Sequence, residues 1–169
     1  SDPCAGMAGL ATAQYKPGQG SVVEFQNITL YVHPGSLPEA VESIQITEVQ
    51  SPELQEKSIY PIVSPIYDFS ATVRTEDDAT VTATHTAFNI EFTGVLFYDP
   101  SQLPEGFPEQ NLGVYYFDPM WSRWFKVPKA GVDAEHHLIL FAANHFSLFS
   151  VQPTVLEDLS PQQLQDVGY

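Results

Sequence analysis

The sequence predicts an all-β fold, an antiparallel β-sandwich with a short C-terminal helix. Three observations point there. Short stretches alternate apolar and polar residues with the period of a half-buried strand. Turn signals recur between them, and 14 prolines are spread along the 169 residues. No long stretch carries the 3.6-residue apolar period of a helix. A chain of this length buries roughly 70 % of its unfolded surface, enough to fold without disulfides or metal.

Residues 1–21 are rich in Ala, Gly and Gln and end in "KPGQGS"; they read as a leader with little structure, with Leu10 and Tyr15 as side chains able to dock. The sandwich is placed at 22–152. Ile28, Leu30 and Val32 alternate with Thr29, Tyr31 and His33 in one strand. "HPGSLPE" then interrupts it, because its prolines lack the ladder N–H and Gly35 tolerates positive φ. Ile44, Ile46 and Val49 resume the alternation.

"SPELQEKS" is a polar connector with room for one helical turn. "IYPIVSPIYDFSATV" contains Pro61 and Pro65 and reads as an edge strand or extended arm. "RTEDDA" is a charged turn. "TVTATHTAFNIEFTGVLFYDP" holds two strands or one bent strand, with Gly94 at a bulge or turn. "DPSQLPEGFPEQN" is a loop. "LGVYYFDPMWSRWFKVP" has the form of a hairpin turning at "DPMWSR". "KAGVDAEHH" is a further turn, and "LILFAANHFSLFSVQ", apolar on both faces, is a strand between packed layers. Residues 153–169 form a connector, in which Ser160, Pro161 and Gln163 give the start signature of a short helix.

Six basic residues against 21 acidic ones give a net charge of −15. That balance repels nucleic acid and anionic membranes. No segment is long enough to span a bilayer as a helix. The single cysteine, Cys4, excludes an intrachain disulfide; it is open to reading as a free thiol, an interchain bridge or a lipid-anchored residue.

The chemistry-bearing stretch is "AANHFSLFSV", 142–151. His145 and Ser147 are two apart, so they share a face of an extended strand. A serine hydroxyl needs a base within hydrogen-bond reach to attack a carbonyl, and histidine suits that task near neutral pH. The carbonyl in reach is that of Phe146. Asn144 or a backbone N–H is the expected oxyanion donor, and His85 is a second candidate base. No flat register buries every apolar residue of 138–151 and exposes every polar one, so a bulge or twist is expected near 145–147. The plain alternative is a structural histidine beside an ordinary strand serine.

Other candidates carry less. His136 and His137 are adjacent and point apart if extended, so no shared metal site is expected, nor any other cofactor. Trp124 is expected in the core, with Trp121 partly exposed. "TEDDAT" lacks the spacing of a calcium loop. None of the patterns GxSxG, HExxH, CxxC or GxGxxG occurs.

The order of these stretches resembles the ZU-five family of zonula occludens proteins, ankyrins and netrin receptors. "ITLYVHPGSLPEAVESIQIT" is similar to the family's opening strand, Pro-Gly turn and second strand. "SPIYDFSATVRTEDDATVTATHTAFNIEFTGVLFYDP" is similar to its middle, "NLGVYYFDPMWSRWFKVP" to a hairpin in bacterial relatives, and "NHFSLFSV" to their closing strand. The resemblance covers about 22–152 and implies a β-sandwich that serves as a structural or protein-interaction module. Its partners would be other domains of a longer chain or a separate protein. One branch, which includes the function-to-find domains, cuts its own backbone before the serine of His-Phe-Ser. Residue by residue, that implies His145, Phe146 and Ser147 here. Resemblance to exported relatives, with the acidic charge and scarce cysteine, implies an extracellular, periplasmic or cell-surface location.

Overall fold

A computed structural model describes residues 10–83 and 87–154. Among them are β1 (Leu10–Gln14), β2 (Ser21–Phe25), β3 (Ile28–Val32), β4 (Val41–Val49), α1 (Pro52–Glu56) and β5 (Ile66–Arg74). β6 (Thr80–Ala83), β7 (Ala87–Phe97), β8 (Leu112–Asp118), β9 (Arg123–Lys126), β10 (Lys129–Asp133), β11 (Leu138–His145) and β12 (Leu148–Pro153) follow. Two antiparallel sheets result. The seven-stranded one runs β1-β4-β5-β12-β8-β9, with β6 also on β5, and the five-stranded one runs β10-β11-β7-β3-β2.

The expected alternation is met in β3 and β4, where Ile28, Leu30, Val32, Ile44 and Ile46 are all buried. Gly35 takes φ of +74° in the turn between them, where only glycine is unstrained. The hairpin of β8 and β9 pairs Asp118 with Arg123 and Tyr115 with Lys126. Asp118 Oδ1 accepts the Met120 N–H at 2.8 Å and closes its turn.

Four expectations about the strands are corrected. The stretch 10–20 is not without structure: β1 pairs with β4 along its length, and Tyr15 is buried with its hydroxyl accepting the Leu37 N–H. Its short side chains suit a strand at the sheet border. β5 lies inside the sheet, not at its edge, because both prolines precede Ile66 and leave its N–H groups free to pair. "KAGVD" is the edge strand β10, paired with β11. The stretch 138–152 is two strands in different sheets, which explains why it is apolar on both faces. The expected helix at 160–163, Cys4 and His85 lie outside the described residues.

The core between the sheets is aromatic. Phe69 and Phe149 from the seven-stranded sheet meet Phe92 and Phe141 from the other, with ring centroids 5.0–6.1 Å apart. Gly94 is neither bulge nor turn; it sits within β7 opposite Phe141. A Cβ there would lie 2.3 Å from the Phe141 ring. Gly94→Ala is therefore expected to destabilise the fold by about 1–3 kcal/mol, and a smaller residue at 141 should relieve part of that loss in a double-mutant urea melt.

A polar clamp ties the 99–111 loop to the turn before β11. Glu109 Oε1 accepts the Tyr98 hydroxyl at 2.6 Å and meets His137 Nδ1 at 2.9 Å. The Tyr98 hydrogen bond, then that of His137, holds the Glu109 carboxyl below its ordinary value. Burial, with the carboxylate beside it, pushes the Tyr98 hydroxyl up, so it remains a donor. A carboxyl depressed by folding stabilises above its unfolded pKa and loses that contribution as pH falls through the folded value. Wild type should thus exceed Glu109→Gln in stability at pH 7, with the gap closing below about pH 4; urea melts across that range check it.

Candidate functional site

The polypeptide changes sheets at the His-Phe-Ser stretch. β11 follows β7 in register from Leu138 opposite Phe97 to Ala143 opposite Phe92, and then slips, so that His145 faces Ala87. Phe146 and Ser147 belong to neither strand. Leu148 opens β12 on the other sheet, opposite Phe117 on one side and Asp68 on the other. The bend expected near 145–147 is this crossover. No residue from 138 to 154 takes positive φ, so the bend is made without left-handed backbone.

Three residues are fixed by different means. Phe146 is fully buried, its ring 4.7 Å from Phe88, 5.6 Å from Phe92 and 5.9 Å from Phe69. The Ser147 carbonyl accepts the Phe69 N–H at 3.0 Å, which anchors the bend to β5. His145 is half-buried. Its ring stands edge-on to Tyr116 at 4.8 Å and lies nearly parallel to Phe149 at 6.2 Å.

The polar geometry differs from the expected serine–histidine pair. His145 Nδ1 lies 3.4 Å from the Phe146 carbonyl oxygen, at the long end of a hydrogen bond. A carbonyl only accepts, so Nδ1 carries the proton in that contact. The Ser147 hydroxyl instead donates to the Phe117 carbonyl at 3.0 Å. The imidazole therefore addresses the oxygen of the bond in question, and no hydrogen bond joins it to the serine. Asn144 is exposed and gives that oxygen no hydrogen bond, so among the described residues the donor at the carbonyl is His145.

The local sequence explains this division. The crossover turns residue 146 inward, which suits only a large apolar side chain, and leaves 145 and 147 beside the end of β8. Tyr116 and Phe117, which contact both polar residues, were not singled out from the sequence. Their signal is faint, since "VYYFD" reads simply as an apolar strand. A surface pocket of about 390 Å³ opens here between the 116–120 turn, His145 and Ser147. It gives water a route to the bend.

The remaining candidates stand apart. His136 Nδ1 meets Asp133 at 2.9 Å, while His137 meets Glu109, so the two histidines have separate partners. Trp124 is buried, its indole N–H donating to the Leu54 carbonyl, and Trp121 is 70 % exposed. No described helix is long and apolar enough to cross a membrane. The chain matches no protein-family model, no curated protein and no solved structure.

Proposed function

We propose that this sandwich is a structural and protein-interaction module at an extracellular, periplasmic or cell-surface location, and that it cuts its own chain between Phe146 and Ser147. The ZU-five-like order of its motifs supports the module class. One observation carries the cut: the bond lies at the crossover between sheets, with an imidazole N–H on its carbonyl oxygen.

In the proposed step Ser147 Oγ bonds to the Phe146 carbonyl carbon, and the oxygen gains negative charge beside His145 Nδ1–H. The bond from that carbon to the Ser147 nitrogen then breaks. The hydroxyl proton ends on the new amine, leaving an ester. Water entering from the pocket splits the ester, giving a carboxylate on Phe146 and restoring the Ser147 hydroxyl. For attack, the hydroxyl must first exchange its bond to Phe117 for one to a base.

Intact-mass measurement of freshly purified chain over days tests this. Fragments 1–146 and 147–169, with hydroxylamine speeding their appearance, are the expected result. A single full-length mass throughout overturns the cut.

A second reading is favoured by the Ser147–Phe117 hydrogen bond. It fully occupies the hydroxyl proton, as in a serine that only satisfies a neighbouring carbonyl, and it describes a non-catalytic spacer or binding domain. The mass measurement separates the two.

A further inference from the structure

The chain covers the outer faces of its two sheets unequally. On the seven-stranded sheet, Leu54 and Ile62 of the segment after β4 close over Ile66, Tyr115, Phe117 and Trp124. On the five-stranded sheet the outer face stays open among the described residues. Register places its side chains in adjoining rows. Leu138 faces Phe97 and Leu140 faces Val95, while one row on, Tyr31 stands between Thr93 and Val22. Val22 is 55 % exposed, Leu140 47 %, Tyr31 44 % and Phe97 39 %. Scattered exposed apolar residues need no explanation, but a contiguous sheet face of them marks an interaction surface.

Charge indicates what fits it. The chain carries −15, yet one corner of this face is close to neutral, where Lys129 of edge strand β10 is paired with Glu91 at 2.5 Å. Away from that corner the border is acidic. Glu24 lies on β2, Asp133 stands opposite Leu138 with the His136 imidazole beside it, and Asp99 follows Phe97 by two residues. A second copy would set this acidic border, and a further −15, against its own kind. A partner of opposite sign meets no such repulsion.

We propose that the outer face of the five-stranded sheet docks a protein partner whose apolar patch is bordered by lysine and arginine side chains. The docking rests on the interaction-module half of the proposed function and is independent of the cut.

The test uses the full chain and a synthetic peptide of alternating leucine and lysine as probe, read by calorimetry at two salt concentrations. Wild type should bind, more weakly at high salt. Leu140→Glu should weaken binding at least about tenfold, although it makes the chain more acidic. Val22→Glu, on the edge strand, should do the same and serves if the first variant melts early by circular dichroism. Binding that is unchanged or tighter in both variants means bulk charge alone and overturns the proposal. So does an absence of binding, or a wild-type dimer in sedimentation that these variants abolish. The intact mass of the same samples is read separately. An uncut chain that binds overturns only the self-cleavage, and a cut chain that fails to bind overturns only the docking.

Discussion

Ser147→Ala should remain a single full-length chain while wild type accumulates 1–146 and 147–169. The substitution removes the only atom proposed to attack the Phe146 carbonyl. Its structural cost is small, because the lost hydrogen bond to the Phe117 carbonyl is a neutral one, worth about 1 kcal/mol. An intact mutant therefore reports chemistry and not misfolding. His145 gives a finer test of the same step. As a hydrogen-bond donor to the oxyanion, its removal in His145→Ala should slow the cut by about 10²–10³-fold. His145→Asn keeps an N–H near the same place and should recover part of the rate. If asparagine recovers nothing, imidazole is needed as a base and the donor role assigned from the 3.4 Å contact is wrong. Mass spectra taken over a time course give both rates.

Phe146→Ala should be the most damaging single change at the site to stability. Its ring is fully buried and touches Phe69 from one sheet and Phe88 and Phe92 from the other. Truncating such a ring costs about 3–5 kcal/mol, which for a domain of this size lowers the melting temperature by on the order of 10 °C. A scanning calorimetry trace checks it. Phe146→Leu, which keeps most of the volume, should lose much less. A small shift for the alanine variant would mean that the neighbouring phenylalanines close the gap, and that the bend does not depend on this anchor.

Local patterning carried much of the architecture. The alternation of β3 and β4, the Pro-Gly turn between them and the β8–β9 hairpin are all visible in short windows, because each depends on residues close in the chain. What the local pattern does not reveal depends on distant partners. Pro61 and Pro65 give the β5 stretch the pattern of an edge strand, whereas pairing begins one residue beyond the second proline. β1 and β10 are strands whose short or polar side chains carry little pattern, and they are held by the neighbour rather than by their own composition. Gly94 reads as a bulge or turn because nothing nearby in sequence reveals the Phe141 ring pressed against it.

The site divides in the same way. The conflict of faces between 138 and 151 foretold the bend, since a flat strand cannot satisfy that order of side chains. The direction of each hydrogen bond was not foretold. Whether His145 turns to its neighbour's carbonyl or to Ser147, and whether the hydroxyl finds Phe117, is decided by β8, which lies about 30 residues upstream.

The place of β12 bears on what would follow a break at residue 146. Among the described residues it is the one element joining β5 to β8, so it holds both parts of the larger sheet together. Pulling it away would not trim a border but bisect that layer, with β1, β4, β5 and β6 on one side and β8 and β9 on the other. A severed molecule would therefore persist whole under mild load and come apart in a single event once the load exceeds that limit.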